Sequence, residues 1–308
     1  MTGERSDGGS VDGGGIGPGG PSPAGGGGPV RGGGAPPWRV DAGLARELAE
    51  LVGWDPGDGP GALVAALAAR VPAGTTAKLA AVAAGQVPPG ADPEAIARQI
   101  VTDRVEGRPT PAWSCWALCT VLAALVDTMG GGGARVVALR RIDGRAPEVD
   151  LHSVVLVPHA GATLLCDPYF AAVVGGPGTP QRERAHLGVW AQRTDEADGR
   201  WTYEVGHGRW RHRLRYRVLG PALDRGDVRA CCAISVVHSG VPPTPFAGLW
   251  RDDLAVDAHT HSGGGCAVRE WRRAGPDAVW EGEVTLTEHP DWAAATADLA
   301  TRTGIAVR

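Results

Sequence analysis

Residues 149–167, VDLHSVVLVPHAGATLLCD, decide the fold and point to a chemistry. Two runs rich in Val and Leu, 149–157 and 162–167, flank Pro158-His159-Ala160-Gly161, which reads as a four-residue turn between antiparallel strands. With Val157 opposite Ala162, paired positions sum to 319, and His152 stands directly opposite Asp167 on one face of the hairpin. Such partners have Cβ atoms about 4.5–5.5 Å apart. A carboxylate facing an imidazole is what orients the base of a nucleophile.

The matching nucleophile lies upstream. Cys115 precedes His152 by 37 residues and follows Ser114, a good N-cap, at the start of a predicted helix over 115–129. The apolar face of that helix is Cys115, Leu118, Cys119, Leu122, Leu125, Val126 and Met129, and Gly130–Gly133 end it. In a first helical turn, unpaired N–H groups and the helix dipole favour a thiolate. Cys119 shares the face one turn deeper and is expected in the core, an internal control for Cys115. Singly, each of the three residues has a plain structural reading. A free cysteine is commonly a small buried hydrophobe, an imidazole can be satisfied inside a sheet, and Asp-Pro ends strands. Together they form a chain of nucleophile, base and orienting acid. Cys115 would form a thioester, His152 would hold the thiolate and then act as general base, and Asp167 would fix the imidazole tautomer.

Outward from these segments the pattern changes once. Residues 42–129 read as helices: Asp41 caps one bearing Leu44, Leu48 and Leu51, apolar stripes follow around 63–71 and 76–84, and Asp92-Pro93-Glu94 opens another. From Arg135 the period becomes two, with strands at 135–141, 201–205 and 209–218 and a turn at Asp143-Gly144. Further strands are expected from Val228, then an irregular proline-rich stretch at 241–246. A terminal helix closes the chain, with Pro290 near its first turn and Gly304 just after it. Helices, then antiparallel strands, then a mixed end define an α+β architecture.

Composition bounds the function. The 308 residues include 48 Gly and 25 Pro, concentrated in residues 1–36, which read as a disordered tail. A net charge of −4 gives no reason to expect nucleic acid as a partner. The longest apolar run, 115–126, is too short for a bilayer, and the N-terminus lacks a secretory pattern, so no membrane is expected. Six cysteines without metal-ligand spacing fit reduced thiols in a cytoplasmic protein and no metal site. His238, His259 and His261 are expected on the surface or in loops. Arg209, Arg211, Arg213, Arg215 and Arg217 alternate along one strand, which would place five guanidiniums on one face. That face suits coenzyme phosphates, an acidic carrier protein or simply solvent. Trp113, Trp116 and Phe170 flank the proposed site as pocket wall or as core.

At these residues the chain resembles the arylamine N-acetyltransferases, within the wider transglutaminase-like Cys-His-Asp set. The separations of 37 and 15 residues between Cys115, His152 and Asp167 are similar to that family's. So are Ser239-Gly240-Val241-Pro242-Pro243-Thr244-Pro245-Phe246 and Val284-Thr285-Leu286-Thr287-Glu288. The resemblance implies a helical domain (37–133) carrying the nucleophile, an antiparallel β-barrel domain (134–225) and a C-terminal α/β lid (226–308). It further implies acetyl-CoA as donor, an arylamine or hydrazine as acceptor, and ping-pong transfer through Cys115, with Thr244 lining the coenzyme cleft. Departures are visible. Pro111-Ala112-Trp113-Ser114 stands where the family has Arg-Gly-Gly, and Ala117 replaces an acidic residue. Cys166-Asp167-Pro168-Tyr169-Phe170-Ala171 replaces a Gly-containing element. Three rival readings remain open: an amide synthase fed by a carrier-bound or biosynthetic acyl thioester, a transglutaminase-like peptidase, and a catalytically degenerate binding module.

Overall fold

The computed structural model describes residues 38–142, 151–175, 183–184, 189–195, 200–207, 213–237, 244–251, 254–261, 264–273 and 282–308. All belong to one unit, Gly34–Arg308. The expected tail and the Asp143-Gly144 turn lie outside the described residues.

Five helices come first: α1 (Ala42–Val52), α2 (Gly59–Arg70), α3 (Thr76–Ala83), α4 (Pro93–Val105) and α5 (Cys115–Met129). Between α2 and α3 lies β1 (Ala73–Gly74). The caps are those the sequence carries. Asp41 accepts from Leu44 N–H at 3.0 Å, Asp92 accepts from Ala95 N–H at 3.1 Å, and Gly53 ends α1 at φ 70°. Helix α5 is buried on every side from Trp116 to Asp127, beyond the single apolar face expected from its sequence. It is the axis of the helical core. Its buried Asp127 accepts from Trp38 N–H at 2.7 Å and from Ala134 N–H at 2.9 Å, so the carboxylate ties the helix end to both flanking chain segments.

An eight-stranded antiparallel sheet follows. It is built from β2 (Arg135–Arg141), β3 (Leu151–His159), β4 (Ala162–Asp167), β5 (Ala172–Val174), β6 (Glu183–Arg184), β7 (Val189–Asp195), β8 (Trp201–His207) and β9 (Arg213–Val218). Their order is β5-β4-β3-β2-β9-β8-β7-β6, and β5 meets β6 and β7, so the sheet curls into a nearly closed barrel. Strand β3 divides its side chains between two cores. Val154 and Leu156 face the barrel interior with Tyr203 and Tyr216, whereas Val155 and Val157 face the helical core with α5.

The hairpin register differs from the sequence expectation. Pro158 and His159 belong to β3, His159 pairs with Ala162, and partners sum to 321. The turn is the two residues Ala160 (φ 47°) and Gly161 (φ 80°), a geometry whose twist suits antiparallel strands. Pro158, a proline inside a strand, removes a ladder donor. It is tolerated because β2 pairs β3 only as far as Leu156, so no ladder acceptor awaits its missing N–H. A shift of two keeps every side chain on its face. Asp167 is therefore a diagonal neighbour of His152.

A second difference lies at 228–237, expected as strand. Arg225–Val237 is a helix, α6. Asp224 accepts from Asp227 N–H at 2.8 Å, and Asp227 accepts from Asp224 N–H at 3.2 Å, a reciprocal cap that overrides the β-branched content. Val228 and Cys232, one turn apart, pack into the helical core.

The last sheet runs β1-β10-β11-β12-β13, with β10 (Phe246–Trp250), β11 (Leu254–Thr260), β12 (Cys266–Arg273) and β13 (Gly282–His289). Helix α7 (Trp292–Thr303), capped by Asp291 and Gly304, packs Ala295 and Leu299 against Val256, Ala258 and Val268. The junction at β1 is tight. A Cβ on Gly74 would lie 2.0 Å from the Phe246 carbonyl oxygen and 2.8 Å from the Ala112 Cβ. Gly74→Ala should therefore cost about 1–3 kcal/mol and lower Tm by several degrees. Gly61→Ala, with nothing within 4 Å of its added methyl, should leave Tm unchanged or raised. Equal melting of the two variants would contradict the close approach.

Candidate active site

Cys115 owes its place to the segment before it. Trp113 N–H donates to the Pro72 carbonyl at 2.8 Å, and Gly74 N–H donates to the Trp113 carbonyl at 2.8 Å. Trp113 and Ala73 form a parallel bridge that delivers the chain to Ser114. Ser114 Oγ accepts from Ala117 N–H at 3.4 Å, and Cys115 opens α5 half-buried. Across from it runs β3, which packs along α5.

His152 is buried on β3, opposite Leu139 of β2. Its Nε2 lies 2.7 Å from Asp167 Oδ2, a reach that the diagonal register permits for these two side chains. Asp167 is fully buried and fully engaged. Oδ2 also accepts from the Tyr203 hydroxyl at 3.0 Å, and Oδ1 accepts from the backbone N–H groups of Tyr169 at 3.1 Å and Phe170 at 3.2 Å. The imidazole stands among aromatic rings, with centroids 5.9 Å from Tyr169, 5.2 Å from Phe170 and 5.1 Å from Tyr216.

The electrostatics separate the two cysteines of α5. Burial pushes the Cys115 thiol up, but the charge and hydrogen bonding of His152, with a smaller contribution from the nearby Ser153, outweigh it. Cys115 titrates below the ordinary 9.0. Burial and the Asp167 charge push Cys119 well above 9.0. Its Sγ donates to the Ser153 carbonyl at 3.2 Å. Burial alone would depress the His152 pKa, yet the Asp167 and Cys115 charges and hydrogen bonds raise it to about 10. Tyr203, pushed up by burial and then by Asp167, keeps its proton and remains a donor. The surroundings thus favour a thiolate on Cys115 beside a protonated His152 ring, with the Asp167 carboxyl behind it.

The other expected residues are dispersed. Thr244 is exposed, and its carbonyl accepts from the Thr75 hydroxyl at 2.7 Å. Arg213 opens β9 opposite Gly206, its side chain lying outside the described residues along with Arg209 and Arg211. Arg215 Nε pairs with Glu204, its cross-strand partner on β8, at 2.7 Å, so this member of the stripe is neutralised by its neighbour. Trp113 and Trp116 are core residues, whereas Phe170 remains half-buried beside His152. His259 is no loop residue: it sits half-buried on β11 with Nδ1 2.8 Å from Asp257 Oδ1. His261 follows that strand, 3.0 Å from Glu288, and His238 lies outside the described residues. Among the described residues no group of three or more His, Cys, Asp or Glu side chains is placed to hold a metal ion, and no helix is long and apolar enough to cross a membrane.

Sequence reasoning missed Tyr203 and Tyr216. The two are paired across β8 and β9, and Tyr216 reaches His152 while Tyr203 reaches Asp167 only because β9 lies beside β2. Period-two alternation marks them as inward-facing, but no local signal names the strand they meet.

No family model matches the sequence, and no curated protein matches it. Solved structures do match. An arylamine N-acetyltransferase from M. smegmatis aligns at TM-score 0.63 and 18% identity, over 86% of this chain and 92% of that one. One from Bacillus cereus, described as having a Cys-His-Glu catalytic triad, aligns at 0.60 and 13%, over 87% and 100%. One from Mycobacterium marinum, in complex with CoA, aligns at 0.59 and 19%, over 85% and 92%. This chain has the arylamine N-acetyltransferase fold, in a sequence far diverged from those three.

The thiol chemistry is directly measurable. Iodoacetamide should modify Cys115 at pH below 9, and Cys119 only after unfolding. His152→Ala should move the Cys115 profile up toward that of an ordinary thiol. Equal labelling of both cysteines, and at high pH only, would contradict the assignment.

Proposed function

We propose that the chain is an acyltransferase of the arylamine N-acetyltransferase type, with Cys115, His152 and Asp167 as its catalytic residues. The observation that carries the reading is a depressed-pKa cysteine at a helix start, set against an imidazole held at 2.7 Å by a buried carboxylate. The fold supports it, and the M. marinum neighbour in complex with CoA favours an acyl-CoA donor, acetyl-CoA first.

The steps follow from the charges. The Cys115 thiolate attacks the thioester carbonyl, the carbon–sulfur bond to the coenzyme breaks, and the leaving thiolate takes the proton of the His152 imidazolium. The acyl group now rests on Cys115 and His152 is neutral. An arylamine or hydrazine attacks that thioester while His152 removes its proton, and the Cys115 thiolate leaves to restore the ion pair. Asp167 orients the ring through Nε2 and stabilises its charged form, so that Nδ1 serves sulfur and substrate. Thr244 and Arg213 are assigned to the coenzyme, and the half-buried Phe170 ring to the acceptor. A cytoplasmic setting accords with six free cysteines.

One observation favours a second reading, an amide-forming relative with a different acyl donor. Tyr169 and Phe170 crowd His152 where the resemblance expects a glycine-containing turn, which narrows the approach of a coenzyme arm. Intact-mass measurement after incubation with acetyl-CoA separates the two. The acetyltransferase reading predicts an adduct of about 42 Da on Cys115, absent in Cys115→Ala. No adduct from acetyl-CoA, with acyl transfer from a carrier-bound thioester, would replace it by the amide-forming reading. No thioester from any donor would refute both.

A further inference from the structure

Ser153 follows His152 on β3 and faces the other way. His152 lies with the barrel side chains, whereas Ser153 shares the parity of Val155 and Val157, which pack against α5. Its side chain is fully buried, and Oγ has no hydrogen-bond partner of ordinary geometry among the described residues. A buried hydroxyl without a partner is a cost that folds ordinarily avoid. What surrounds it is sulfur. The Ser153 carbonyl accepts from Cys119 Sγ at 3.2 Å, and Cys115 stands one helical turn away on the same face of α5. The hydroxyl lowers the pKa of both thiols, yet only Cys115 ends below the ordinary value. A neutral thiol is a weak acceptor and a thiolate a strong one, so this donor finds its partner when a neighbouring sulfur is charged.

We infer that the Ser153 hydroxyl donates to the Cys115 thiolate, a second stabilising contact on the reacting sulfur beside the His152 imidazolium. The inference rests on the nucleophile assignment above and adds a residue to it. The donor acts while sulfur is ionised and loses its strong acceptor once the acyl thioester forms. It therefore favours the free nucleophile over the acylated one.

The test is the pH dependence of Cys115 alkylation by iodoacetamide, read by peptide mass in the wild type, Ser153→Ala and Ser153→Thr, with melting measured on each. Ser153→Ala should raise the Cys115 midpoint by about one pH unit, slowing labelling up to roughly tenfold below that midpoint. Ser153→Thr, which keeps the hydroxyl, should restore the wild-type midpoint. An unchanged midpoint in a normally melting Ser153→Ala protein overturns the inference and leaves the nucleophile assignment standing. A wild-type Cys115 that titrates as an ordinary thiol overturns the assignment itself.

Discussion

The bond from His152 to Asp167, 2.7 Å long and sealed from water, is the constraint around which this barrel is arranged. A carboxylate taken out of solvent is costly unless its lone pairs are filled. Four donors fill them here, from β3, from β8 and from the two backbone amides that follow Asp167. Supplying the Tyr203 donor requires β9 to lie between β2 and β8, so the sheet order itself brings the charge its partner. The imidazole in turn is pinned between an anion behind and a sulfur in front, which is why it holds its proton against burial.

The same electrostatics explain how two cysteines one turn apart on α5 diverge. Both are drawn toward β3, and both feel the burial that penalises a thiolate. Cys115 meets the charged ring at the helix start, where the unpaired amides also point. Cys119 meets a carbonyl and the field of Asp167. A difference in neighbours of only a few ångströms reverses the direction of the shift.

Much of this was legible in the sequence because it depends on parity and on caps. The side of β3 and β4 that carries His152 and Asp167 survives a register error of two, since strand side chains alternate with period two. The start of α5 was legible in Ser114, and its end in the glycine run. The turn was misjudged because Pro158 signals a break wherever it falls, and only the short reach of β2 makes it harmless. Residues 228–237 were misread because β-branched content outweighed a reciprocal Asp224–Asp227 cap that was present in the sequence. Tyr203, Tyr216 and the closure of the barrel were beyond reach: they depend on which strands become neighbours, and no short-range pattern encodes that. The departures beside His152 were visible as letters, but the aromatic enclosure that Tyr169 and Phe170 build needed coordinates.

The ionisation state of His152 tests this account most directly. Nitrogen-15 chemical shifts of the ring, followed across pH in the unacylated protein, distinguish imidazolium from neutral imidazole. The account predicts a protonated ring at pH 7 that loses its proton only near pH 10. A ring that is neutral at pH 7, titrating near the ordinary 6.5, would contradict the thiolate–imidazolium pair and the chemistry built on it.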